Sequence, residues 1–147
     1  AERNVSGMGI HLLIAEACKV VGPAAIPKDT TNALQNYGTI ATCSIQGFLI
    51  YVSALTACLY YCSLSVYSYT GILCNFDQSA IDSLKFVIHL CVHIYPLASG
   101  MYLLYGELFN NTGFGYCFIE ADPIGCGRST SGICKRGIPV YHNNHHM

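Results

Sequence analysis

His89 and His93 stand four residues apart in an uncharged stretch, the spacing that puts two imidazoles on one face of a helix. Such a pair can share a metal ion, but a zinc site takes three or four protein ligands, and no Glu or third ligand lies nearby in the sequence. Hydrogen bonding to a neighbouring helix, or to water at a membrane surface, is the expectation, and no metal is assigned. Nine cysteines are the other reactive groups. Cys18, Cys58, Cys62 and Cys91 lie inside apolar segments and are expected to act as small apolar residues. Cys126 and Cys134 flank a Gly/Ser-rich segment. They can pair with each other, pair with Cys117, or join the tail histidines at a metal, and disulfide or disorder is preferred over metal. Asn110-Asn111-Thr112 has the pattern of a glycosylation acceptor. No nucleophile sits beside a base and no acidic pair faces a cavity, so no catalytic residue and no cofactor is assigned and an enzyme is not expected. Glu107, Glu120 and Asp122 are read as loop or interface charges.

The segments that must position these residues are long and apolar. From Thr30 to Phe76 there is no Asp, Glu, Lys or Arg, and the same holds from Phe86 to Gly106. A helix needs roughly 20 apolar residues to cross the hydrocarbon core. The chain is 52% hydrophobic and 10% charged, against roughly 25% charge in soluble domains. The fold class read from this pattern is all-α, a membrane-embedded bundle of about three transmembrane helices over 8–22, 44–72 and 86–108. Residues 1–127 form the helical domain and 128–147 a flexible polar tail. The partners that follow are membrane lipid and other transmembrane helices or subunits. With a net charge of −1 and no Lys/Arg face, nucleic acid is excluded. No signal peptide is recognisable, and a first residue other than Met points to a piece of something longer.

Within the first segment, Glu16 and Lys19 would be costly near a bilayer centre. It ends at Gly22-Pro23, and the stretch from Pro23 to Thr42 reads as a connector reaching Cys43. In the second, Gly47, Tyr51, Ala54, Cys58, Tyr61, Ser65 and Ser68 recur at three- and four-residue steps and read as a packing seam. In the third, the seam is His89, His93, Pro96 and Gly100, with Pro96 expected to kink the helix. Cys43 precedes the second span and Cys117 follows the third, so both fall on one side of the membrane. If that side is oxidising, a disulfide between them would tie the second span to the loop after the third, although nine cysteines allow many other pairings.

The ordered set Gly38-Thr-Ile-Ala-Thr-Cys43-Ser-Ile-Gln46-Gly47-Phe48, Leu64-Ser65-Val66-Tyr67, His89 followed by Pro96-Leu97, and Cys117-Phe118-Ile119 with Pro123-Ile-Gly-Cys126 resembles the G-protein-coupled-receptor-like seven-helix proteins of single-celled eukaryotes. It is similar to their cyclic-AMP-receptor-like branch. The resemblance covers roughly residues 7 to 126. It implies a partial seven-helix receptor in which the three spans are the second, third and fourth helices.

The resemblance assigns Cys43 and Cys117 to the disulfide between the third receptor helix and the second extracellular loop. It makes Gln46 and Tyr51 candidates for a ligand cavity, each weighed against a plain interhelical contact. It places Tyr67-Ser68-Tyr69 at the cytoplasmic switch, implies a heterotrimeric G protein as partner, and points to the plasma membrane, multi-pass. Two departures stand out. Many rhodopsin-like receptors carry an acidic-Arg-Tyr triplet where this chain has Tyr67-Ser68-Tyr69, and three spans do not enclose the cavity that seven make. Arg128, Lys135 and Arg136 would also be extracellular, against the usual Lys/Arg bias. Transmembrane signalling by ligand-driven helix movement is the function the resemblance implies. The alternative is a non-signalling structural or assembly subunit of a membrane complex.

Overall fold

The computed structural model describes residues 2–28, 37–73, 78–124, 126 and 134–137. Among them the chain is mostly helical. The elements are α1 (Glu2–Val20), α2 (Gly22–Ala25), α3 (Ile40–Leu73), α4 (Gln78–Tyr105), β1 (Phe109–Asn111) and β2 (Cys117–Ile119). The chain divides into two compact units, one of Ala1–Val20 with Leu49–Met101, the other of Val21–Phe48 with Tyr102–Met147.

Among the described residues, two helices are long and apolar enough to cross a membrane: α3 and the Leu84–Tyr105 part of α4. At about 1.5 Å per residue the 34 residues of α3 extend about 51 Å, well beyond a hydrocarbon core of about 30 Å. Only 33% and 17% of their most apolar windows are buried, unlike the core helices of a water-soluble protein. The first expected span also folds as a helix, α1, but it begins at Glu2 and is not one of these two. The charges noted in the sequence are the physical reason: Lys19 Nζ and Glu16 Oε1 pair at 2.7 Å.

Helix boundaries differ from the sequence reading: α1 begins at Glu2 rather than 8 and α4 at Gln78 rather than 86, and two further differences bear on the site. α3 begins at Ile40 rather than near residue 44, because Thr39 and Thr42 cap it reciprocally. The Thr42 N–H donates to Thr39 Oγ1 at 3.3 Å, and the Thr39 N–H donates to Thr42 Oγ1 at 2.7 Å. Cys43 therefore lies in the first turns of the helix and not in the connector. α4 stops at Tyr105 rather than 108, in a reversal with Glu107 at φ 54°. There the Leu108 N–H donates to Leu103 O and the Glu107 N–H to Leu104 O, both at 3.1 Å, so the last carbonyls are satisfied. Arg136 Nε, 3.1 Å from Glu107 Oε2, holds the side chain of the residue in the left-handed conformation. α4 continues through Pro96, whose ring is fully buried.

The packing face of α3 is offset from the expected seam. Cys43, Gln46, Gly47, Ile50, Ser53, Ala57, Tyr60 and Ser63 are buried, whereas Cys58, Tyr61, Ser65 and Ser68 are exposed. Both sets have helical spacing; burying the amide and hydroxyls of Gln46, Ser53, Thr56 and Ser63 decides between them.

In the second unit, β1 and β2 pair antiparallel with Phe109 opposite Ile119 and Asn111 opposite Cys117. The turn between them uses Gly113 and Gly115 at φ 81° and 85°. Ile26, Cys43 and Cys117 form its buried apolar cluster, and Phe109 is fully buried. Thr42 Oγ1 donates to Ala25 O at 2.9 Å, fastening the connector to the start of α3.

Gly47 lies against the Phe109 ring so closely that a Cβ would come within 2.9 Å of Phe109 Cδ1. Gly47→Ala is expected to cost about 1 to 3 kcal/mol through overpacking, read as a lower unfolding midpoint in detergent. Trimming the ring with Phe109→Leu in the same chain should recover part of the loss, and equal midpoints for the native chain and Gly47→Ala would contradict this packing.

Candidate functional site

Cys43, in the opening turns of α3, and Cys117, the first residue of β2, are joined by a disulfide with Cα atoms 5.4 Å apart and a sequence separation of 74. One helical turn after Cys43 comes Gln46, 6% exposed, whose Oε1 accepts the backbone N–H of Cys117 at 3.0 Å. Helical periodicity places the two side chains on one face, so Cys117 is held both covalently and by a buried hydrogen bond. The edge of the Phe48 ring meets the Phe109 ring, with centroids 6.4 Å apart, further along the same part of the helix.

Of the two expected ligand contacts, Gln46 therefore has its carbonyl oxygen committed to the protein's own backbone. Tyr51 belongs to the other unit, and its hydroxyl donates to Ser99 Oγ at 3.2 Å on α4. Ser99 Oγ in turn lies 2.8 Å from Tyr95 O and 3.2 Å from Pro96 O, the carbonyls beside the proline. Both side chains thus make the interhelical or loop contacts weighed against ligand binding. In the switch segment, Ser68 Oγ donates back to Leu64 O at 2.9 Å, and Tyr69 is 65% exposed. The Tyr67 hydroxyl is buried with no hydrogen-bond partner among the described residues.

The glycosylation expectation at Asn110 conflicts with the fold. Asn110 is 4% exposed, and its Nδ2 donates to Glu107 O at 2.9 Å and Glu120 O at 2.8 Å. A buried amide bonded to two carbonyls is closed to a glycosyl donor. Thr112, the third residue of the pattern, donates its hydroxyl to Tyr116 O at 2.8 Å inside the turn.

The expected flexible tail is fastened where it is described. Cys126 and Cys134 form a second disulfide, Cα atoms 5.5 Å apart, and the Asp122 N–H donates to Arg136 O at 3.0 Å. The remainder of 138–147, with its three histidines, lies outside the described residues.

His89 and His93 hydrogen-bond to a neighbouring helix as expected, within a cluster whose other members the sequence reading did not foresee. Tyr60 on α3 is buried, and its hydroxyl lies 3.3 Å from His89 Nδ1 and 3.0 Å from His93 Nε2 on α4. His11 of α1 packs against the Tyr60 ring and against His93, with centroid distances of 6.2 and 5.8 Å. The histidine spacing was legible. The arrival of His11 from a distant helix was not, and Tyr60 was passed over for its neighbour Tyr61. Among the described residues no group of three His, Cys, Asp or Glu side chains is arranged to hold a metal ion.

No family model matches the chain, and no match is found among the curated proteins or the solved structures.

Gln46→Leu leaves a buried Cys117 N–H without its acceptor and is expected to destabilise the protein by about 1 to 3 kcal/mol, with the Cys43–Cys117 bond still formed on a non-reducing gel. An unchanged unfolding midpoint would show that this bond contributes nothing. Glycosidase treatment of the chain from a secretory host should leave its gel mobility unchanged, since Asn110 is enclosed; a shift abolished by Asn110→Gln would contradict the hairpin geometry.

Proposed function

We propose that this chain is a multi-pass membrane protein of receptor-like architecture, in which α3 and α4 cross the plasma membrane, α1 packs beside them, and the disulfide-held hairpin lies on the extracellular side. One observation carries the reading: the bridge from the first turns of α3 to the strand after α4, reinforced by Gln46. That is the connection the resemblance to G-protein-coupled-receptor-like proteins implies. The two most apolar helices and their low burial support placement in a bilayer. In this reading the chain signals by ligand-driven helix movement together with further transmembrane helices, and a heterotrimeric G protein meets the end of α3 that carries Tyr67, Ser68 and Tyr69.

A second reading, a non-signalling assembly subunit, is favoured by that same segment. It offers exposed Tyr69 and a back-bonded Ser68, with no cation where rhodopsin-like receptors place an arginine.

Labelling with a membrane-impermeant maleimide tests the topology. Phe114, at the hairpin tip, is 83% exposed. Phe114→Cys should react on intact cells and Tyr69→Cys only after permeabilisation, both in the carbonate-resistant membrane fraction. Reaction of Tyr69→Cys on intact cells, or release of the chain by carbonate, would contradict the proposal. In nanodiscs with a purified heterotrimeric G protein, the receptor reading expects nucleotide exchange faster than with empty discs, and the subunit reading expects no difference.

A further inference from the structure

A tyrosine hydroxyl has one proton to donate and two lone pairs to accept with. Tyr60 Oη is in contact with two histidine nitrogens, His93 Nε2 at 3.0 Å and His89 Nδ1 at 3.3 Å. It can donate to only one of them, so the other contact is a hydrogen bond only if that imidazole nitrogen carries hydrogen. With both rings neutral, the hydroxyl donates to one ring and accepts from the other. Adding one proton at the remote nitrogen of the ring that already donates keeps both contacts: that ring still donates to the hydroxyl, and the hydroxyl still donates to the other ring. Adding another leaves two imidazolium N–H groups facing one oxygen, strands the hydroxyl proton, and places like charges on successive turns of α4. The first proton leaves both hydrogen bonds in place; the second strands the hydroxyl proton between two like charges.

We propose that Tyr60, His89 and His93 form a proton-binding site between α3 and α4 that takes up a single proton without loss of packing and couples any further uptake to separation of the two helices. His11 completes the site from α1. Its Nδ1 is buried without a hydrogen-bond partner among the described residues, and its ring lies against both Tyr60 and His93. With three imidazoles so placed, a positive charge on any one of them raises the electrostatic cost of a second. Of the charged groups on these elements, α1 carries Glu2, Arg3, Glu16 and Lys19, the last two paired with each other, α4 carries Asp82 and Lys85, and α3 carries none; the remaining titratable groups are tyrosines, Tyr67 among them, and free cysteines. No carboxylate is hydrogen-bonded to Tyr60 or to either α4 ring among the described residues, so the shared hydroxyl is the arrangement that governs how the protons are held. Ionisable side chains within an apolar span are costly and commonly mark proton pathways, which gives the cluster a use that packing alone does not supply. The inference does not depend on receptor signalling.

The test is a pH titration of the full chain in lipid nanodiscs, labelled at histidine with carbon-13 and nitrogen-15, each ring assigned by its His→Gln variant. The native chain should show His89 and His93 changing together in a first step, with the second step displaced from it by at least about one pH unit, the signature of interacting sites. Amide exchange along α4 should rise only in the second step. Tyr60→Phe keeps the ring and removes the hydroxyl, so the separation between steps should shrink and exchange should no longer follow it. If Tyr60→Phe does not fold, His93→Gln serves instead, and His89 should then titrate in a single step. Independent single-step titrations of His89 and His93 in the native chain, or curves unchanged by Tyr60→Phe, would overturn the proposal.

Discussion

The bond between Cys43 and Cys117 is the constraint on which the second unit depends. Strands of three residues are too short to persist alone, and a two-stranded hairpin is marginal in water even when longer. Here β2 is fixed at its first residue to a helix that began capped by Thr39 and Thr42. A cross-link of this kind is commonly worth about 2 to 4 kcal/mol through the chain freedom it removes from the unfolded state. With Cys117 fixed, the Gln46 amide, the Phe109 ring over Gly47 and the Asn110 amide beneath the loop each have a defined partner. The second disulfide fastens Cys134 and its neighbours in the same unit.

In the unit built from α1 and the greater part of α3 and α4, polar groups lie inside and many apolar ones outside. Asn4 donates to Ser63 Oγ at 3.2 Å, Ser63 donates to Tyr60 O at 2.7 Å, and Tyr60 meets the two histidines of α4. Phe86 and Ile72, by contrast, are 72% and 69% exposed. In water this distribution would be unfavourable. In hydrocarbon it is the expected one, because lipid tails solvate Phe and Ile while hydroxyls and amides seek each other across helices.

Much of this was legible in the residues. Uncharged runs located the two long helices, and the resemblance paired Cys43 with Cys117. The capped start of α3 was readable too, since Thr39 and Thr42 stand at the spacing of a reciprocal cap, but the polar composition of the preceding segment masked it. The face of α3 was misread by a small rotation because small and hydroxylated residues recur at helical spacing on two adjacent stripes, and only partners on other elements choose between them. The strands carry no propensity signal: Asn110 and Asn111 are poor strand formers held by tertiary contacts. The burial of Asn110 depends on carbonyls at Glu107 and Glu120, which no local pattern reveals. Tyr60 and His11 meet only in three dimensions.

Non-reducing peptide mapping of the membrane-expressed chain tests the account most directly, with thiols alkylated before digestion. The account predicts one peptide linking Cys43 to Cys117, a second linking Cys126 to Cys134, and alkylated thiols at Cys58, Cys62 and Cys91. Alkylated Cys43 and Cys117, or either of them bonded to a different cysteine, would contradict it.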